Sequence, residues 1–143
     1  MTPIASDHAG FELKQFIISK FPEFQWKDEG CNSLESVDYP DFAHPVATAV
    51  AAHADNKGVL ICGSGNGMQI AANKHPNVRA ALCWNKEIAV LARMHNDANI
   101  LVLPARFISQ EEAIEIVIAF FKTPFEGGRH QKRVEKISIT ALS

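Results

Sequence analysis

Apolar residues in this chain follow two rhythms that alternate from end to end. Short continuous runs such as Val59-Leu60-Ile61-Cys62 fit strands buried on both faces. Longer stretches with apolar positions three and four apart fit helices with one inner stripe. Residues 2–6 read as a short first strand with Pro3 inside it. Proline removes a ladder donor, so an irregular or edge-like start is expected there. Residues 10–20 follow as a helix, with Leu13, Ile17 and Phe21 as the stripe, and residues 24–27 as a second strand. The polar, turn-rich residues 28–39 read as a functional loop.

The same alternation continues to the end. Residues 41–54 form an Ala/Val-rich helix closed by Asn56-Lys57-Gly58, and 59–62 are the third strand. Helix 65–74, strand 79–84, helix 86–94 and strand 99–103 follow. Ser109 and Glu112 spell a capping box for a helix running to about residue 121, stopped by Thr123-Pro124. Gly127-Gly128 leads into a last polar helix carrying Arg129, Lys132, Arg133 and Lys136. Strands alternating with helices at this spacing predict an α/β fold built from right-handed βαβ units. The expected architecture is a three-layer, Rossmann-like sandwich: a five-stranded parallel sheet, helices on both faces and a C-terminal helix. Its 143 residues suit a single domain. Ligands of such sheets sit beyond the carboxyl ends of the strands. That rule singles out Asp7-His8, the segment after Ile61, Trp84-Asn85 and the segment after Leu103.

At the end of the third strand stands Cys62-Gly63-Ser64-Gly65-Asn66-Gly67-Met68. Glycines let backbone N–H groups approach an anion closely, and a helix N-terminus adds a positive dipole. The loop is therefore suited to a phosphate or a developing oxyanion. It is neither a dinucleotide fingerprint, whose third glycine would fall at Met68, nor a P-loop, which needs Gly-Lys-Ser/Thr. Cysteines at helix N-termini ionise more readily than free ones, so Cys62 can serve as base or nucleophile. Equally, it reads as a small buried hydrophobe at a strand end. Cys31 and Cys83 lack this context.

Asp7 and His8 could bind sugar hydroxyls or phosphate, or simply cap and flank a helix. His95, with Asn96 and Asp97, closes the fourth helix, where an imidazole can be an acid or a dipole partner. Arg106 follows the fifth strand, and Arg129 and Arg133 share one helical face. Arginines grip phosphate through paired N–H groups, although such runs are commonly solvated faces. No metal site is expected, because the six histidines show neither HExxH nor paired Cys/His spacing. His44 and His53, placed on one helix, and His75 read as structural or surface residues.

Composition narrows the class. Hydrophobic residues make up 47% and charged residues 21%, which excludes disorder. A net charge of -2 argues against a nucleic-acid partner. No apolar run is long enough for a bilayer, so no membrane role is expected. Three cysteines without a CxxC pair or a signal pattern favour free thiols in a reducing, cytoplasmic setting.

Six motifs occur in one order: Asp7-His8-Ala9-Gly10, Asp38-Tyr39-Pro40, Cys62-Gly63-Ser64-Gly65-Asn66-Gly67, Ala71-Ala72-Asn73-Lys74, His95-Asn96-Asp97-Ala98-Asn99 and Glu126-Gly127-Gly128-Arg129-His130. Over nearly the whole chain they resemble the type B ribose-5-phosphate isomerase and lactose-pathway isomerase family. The resemblance implies interconversion of ribose 5-phosphate and ribulose 5-phosphate, a step of the pentose phosphate pathway, with no cofactor. It implies Cys62 as the base moving a proton between C1 and C2, and His95 as the group opening the furanose ring. Asp7 would lie near the sugar hydroxyls. Gly63, Ser64, Gly65, Asn66 and Gly67 would form the cradle for the enediolate oxygens. His8, Arg106, Arg129 and Arg133 would hold the phosphate, and Tyr39 and Asn96 would line the pocket. Family members that use glutamate as base carry it where Asn66 stands here. The implied assembly is a homodimer or tetramer, with each site built from two subunits. Two alternatives stay open: isomerisation of another sugar phosphate (allose, galactose or tetrose), or non-catalytic binding of sugar phosphates.

Overall fold

The computed structural model describes residues 1–139. Five strands, β1 (Thr2–Ser6), β2 (Trp26–Asp28), β3 (Gly58–Cys62), β4 (Ala80–Leu82) and β5 (Ile100–Pro104), form one parallel sheet in the order β2-β1-β3-β5-β4. Six helices connect or follow them: α1 (Phe11–Lys20), α2 (Pro40–Ala51), α3 (Asn66–Ala72), α4 (Lys86–Asn96), α5 (Gln110–Lys122) and α6 (Arg129–Glu135).

The two faces of the sheet follow from side-chain alternation along the strands. Ile4, Val59, Ile61, Leu101 and Leu103 pack with Leu13 and Ile17 of α1, Ala89 and Ala92 of α4, and Ile116, Val117 and Phe120 of α5. Their strand neighbours Ala5, Leu60, Ile100 and Val102 pack on the other face, with Val46, Ala47 and Val50 of α2 and Met68 of α3. β3 and β5 are buried at every position, as fully apolar runs in the middle of a parallel sheet must be. The capping box of α5 is formed: the Ser109 Oγ accepts from Glu112 N–H at 3.1 Å, and Glu112 accepts from Ser109 N–H at 2.9 Å.

The structure corrects several sequence expectations. β1 is neither an edge nor irregular, since it lies between β2 and β3. The Thr2 N–H turns to Gln25 and the Asp7 N–H to Ile61, so alternation points the Pro3 nitrogen toward β3. Pairing with β3 begins only at Ile4 with Val59, so the missing donor falls ahead of the ladder and costs nothing. β4 is three residues long and ends before Trp84, which leaves the strand and is 51% exposed. α2 stops at Ala51, so His53 lies beyond it rather than sharing a helix with His44.

One buried charge stands out. Lys14, on the inner side of α1, is 0% exposed; its Nζ donates to Asp28 Oδ1 and to the Cys31 carbonyl, both at 2.6 Å. Asp28 also accepts from Gly30 N–H at 2.9 Å. This cation ties the end of β2 and the start of the 29–39 loop to α1. Losing its partner would cost about 3–5 kcal/mol, the usual result of stranding a buried charge.

Candidate active site

The sheet order turns outward in opposite directions from β1 and β3, so their carboxyl ends diverge at the switch point where ligands of such folds bind. A cleft of ≈ 390 Å³ opens there, lined by Asp7, His8, Ala9, Tyr39, Cys62, Gly63, Ser64, Gly67, Arg106 and Phe107. Three strand ends deliver these groups: Asp7-His8 after β1, the glycine loop after β3 and Arg106 after β5. Cys62 is only 5% exposed, yet it lines this cleft.

Hydrogen bonds fix several of these positions. The buried Asp7 caps the 3₁₀ turn His8–Gly10, its Oδ1 accepting from Gly10 N–H at 3.1 Å. Capping and cleft-lining are thus one position, because the carboxylate sits where the strand becomes a turn. His8 accepts at Nδ1 from Val37 N–H at 3.2 Å, which fastens the 29–39 loop over the cleft and fixes that nitrogen as the acceptor. Arg106 donates its N–H to the Gly63 carbonyl at 3.0 Å. Its side chain lies over Gly63, 3.3 Å from where a Cβ would be. Its guanidinium is thereby laid along the glycine loop, on the cleft wall.

The glycine loop turns at Gly65, whose φ of +80° is a left-handed conformation suited to glycine. Gly65 is buried behind the loop rather than in the cleft. Ser64 Oγ accepts from Asn66 N–H at 3.3 Å. The Gly67 and Met68 N–H groups, also in the first turn of α3, have no intrahelical acceptor. Asn66 lines an adjoining depression with Ser64, Leu82, Trp84, Asn85, Pro104, Phe107 and Glu112.

His95, Asn96, Arg129 and Arg133 are absent from the cleft lining. His95 stacks on His130 of α6, ring centroids 4.3 Å apart and planes 13° from parallel. Asn96 faces a separate apolar groove of ≈ 470 Å³ along the β4 edge, lined also by Leu82, Trp84, Ile88, Leu91 and Ile137. Leu82 and Trp84 line both this groove and the depression beside Ser64, so the two adjoin. Arg129 and Arg133 are exposed on α6.

Ala9 and Phe107, which carry no polar side-chain group to signal them in sequence, also line the cleft, each next to a residue at a strand end. Among the thiols, burial pushes Cys83 up to about 12, which leaves it inert. Burial, and next the neighbouring His95, hold His130 below the ordinary histidine value.

Comparison with known proteins places the chain in a family and agrees with this fold. The model of the Ribose/Galactose Isomerase family matches residues 3–137. The chain is 45% identical over 138 residues to the ribose-5-phosphate isomerase B of Escherichia coli K12, covering 95% of this chain and 91% of that protein. The crystal structure of a ribose 5-phosphate isomerase from Thermotoga maritima superposes with a TM-score of 0.91 at 49% identity, covering 95% of each chain. A ribose-5-phosphate isomerase B from Mycoplasma genitalium, solved with bound ribulose-5-phosphate, also gives 0.91 at 46% identity, over 95% of this chain and 92% of that one.

Proposed function

Because the chain belongs to the ribose/galactose isomerase family, we propose that it interconverts ribose 5-phosphate and ribulose 5-phosphate through an enediolate, with Cys62 as the base. The observation that carries this reading is the position of Cys62: at the end of β3, in a cleft shared with the glycine loop, Asp7, His8, Tyr39 and Arg106.

In the open-chain aldose, the Cys62 thiolate takes the proton from C2. The C2–H electron pair forms the C1=C2 double bond, and the carbonyl pair moves onto O1. The backbone N–H groups of the Ser64–Gly67 turn stabilise that charge. After a proton moves from O2 to O1, the Cys62 thiol returns its proton to C1 and the carbonyl re-forms at C2. His8 and Arg106 hold the phosphate, remote from the reacting carbons, and so contribute orientation. Asp7 binds sugar hydroxyls, and Tyr39 closes the side of the pocket.

Ring opening needs an acid, and His95 is the group read for that role. It does not line the Cys62 cleft of its own chain. A second copy resolves this separation. The apolar groove beside β4, with exposed Trp84 and Leu91, adjoins the depression that carries Ser64 and Asn66, and Asn96 stands on its wall. A homo-oligomer docked along this edge brings His95, Asn96, Arg129 and Arg133 of one subunit to Cys62 of the other. The activity belongs to the pentose phosphate pathway. Three unbonded cysteines fit a reducing cytosol, and no helix among the described residues is long and apolar enough to cross a membrane.

The test is a coupled assay on ribose 5-phosphate together with solvent-proton exchange at C2, for the parent protein and for Cys62→Ala. Exchange and turnover that both collapse in Cys62→Ala are expected. Undiminished exchange without the sulfur would remove Cys62 as the base. Faster turnover of a hexose or tetrose phosphate would reassign the substrate.

A further inference from the structure

Three possible metal ligands from separate stretches of chain meet beside α4. His95 stands near the end of α4, Glu126 in the turn before α6 and His130 in α6. One ligand atom from each lies within 4.8 Å of the other two. The Glu126 N–H donates to the Met94 carbonyl at 3.1 Å, which pins the turn against α4. His130 is 5% exposed, and its Nε2 is buried with no hydrogen-bond partner among the described residues. A buried nitrogen without a partner is uncommon and calls for an explanation. Two imidazoles and a carboxylate are the donor set of borderline divalent cations.

We propose that His95, Glu126 and His130 form a binding site for a divalent cation of the Zn²⁺ class, whose occupation withdraws His95 from the isomerisation. Imidazole lone pairs lie in the ring plane, so two stacked rings cannot both aim at one ion. His95 is half-buried, whereas His130 is buried. Binding therefore opens the stack and redirects the His95 ring. Arg129 and Arg133 are close enough to act electrostatically on His130, and their charge opposes any cation. They keep the affinity below that of a structural metal, which suits a reversible inhibitory site. The inhibition rests on the reading of His95 as the ring-opening acid; the binding does not.

Full-length Cys62→Ser protein, titrated with Co²⁺ as visible-absorption probe, isolates the site from the cleft thiol. One Co²⁺ per chain is expected, displaced by Zn²⁺ and not by Mg²⁺. Loss of a hydrogen-bonded support behind a metal ligand already costs 10–100-fold in affinity, so Glu126→Gln and His130→Gln should each weaken Co²⁺ at least about tenfold. Co²⁺ affinity unchanged in both variants would overturn the site. With Cys62 intact, Zn²⁺ should inhibit ribose 5-phosphate turnover, a chelator should restore it, and Glu126→Gln should turn over normally but escape inhibition. Equal inhibition of Glu126→Gln would overturn the inhibitory role. A metal-free parent that never turns over sugar phosphate would sink the isomerase reading alone, while the Co²⁺ titration would still judge the site.

Discussion

The Tyr39 ring occupies the space that a side chain at position 67 would need. A Cβ built on Gly67 would stand 2.5 Å from Tyr39 Cε1 and 2.6 Å from Cζ. Tyr39 is 41% exposed, so it can swing away, and the fold would survive at the expense of the cleft wall. Gly67 also lies within α3, where alanine is the better helix former by up to about 1 kcal/mol. Gly67→Ala should therefore keep or raise Tm while lowering kcat/KM roughly tenfold to a hundredfold through lost positioning. Thermal unfolding and steady-state kinetics on one preparation separate the two effects. A parallel fall in both would mean that Tyr39 acts on the fold rather than on the site.

The proposed sharing of each site between two subunits has a complementation test. Cys62→Ala and His95→Gln should each be nearly inactive alone. If one site takes Cys62 from one subunit and His95 from its neighbour, mixed dimers hold one intact site each. Co-refolding equal amounts of the two variants should restore roughly a quarter of the parent rate in a closed two-fold dimer. No recovery, with mixed dimers verified by mass, would place both groups in the same chain.

Thiol reactivity should single out one cysteine. Cys31 and Cys83 are buried away from the cleft, and the Cys83 thiol stands at about 12. Cys62 lines an open cleft. One equivalent of an alkylating reagent should modify Cys62 first and abolish turnover, with ribose 5-phosphate slowing the reaction. Peptide mapping reads the site of modification. Equal labelling of all three thiols, or no protection by substrate, would contradict this geometry.

His44 and His75 form a second histidine pair, His44 Nδ1 standing 2.7 Å from His75 Nε2. Burial, and next the nearby His44, lower His75 from its ordinary 6.5. A histidine lowered in the folded state stabilises the fold above the unfolded value and loses that contribution as pH falls through the folded one. Urea midpoints should accordingly decline below about pH 6.5, and the decline should be shallower in His75→Gln. His130 is lowered too and acts in the same direction, so the difference between parent and variant is the quantity to measure. Identical slopes would show that the pair carries no linkage.

Local rules made much of this protein legible. Ser109 and Glu112 announced the start of α5, because a capping box involves residues three apart. The apolar run ending at Cys62 announced a central parallel strand, and the glycines after it announced a turn at its carboxyl end. Where local rules met tertiary context they failed. Pro3 suggested an edge, yet β1 is interior because the direction in which that nitrogen points depends on strand pairing. The separation of His95 from Cys62 within one chain was equally hidden, since helical spacing says nothing about which side of the sheet a helix end reaches.

The amino-acid order alone determined the alternation of strands and helices, the strand-end positions able to carry chemistry and the placement of Cys62 beside a glycine-rich turn. Each of these is set by neighbours a few residues apart. Tertiary structure decided which strand ends share a cleft, that Tyr39 packs on Gly67, and that His95, Glu126 and His130 meet. Those residues are distant along the chain, and only the packing of α4 against α6 and the order of the strands brings them within reach of one another.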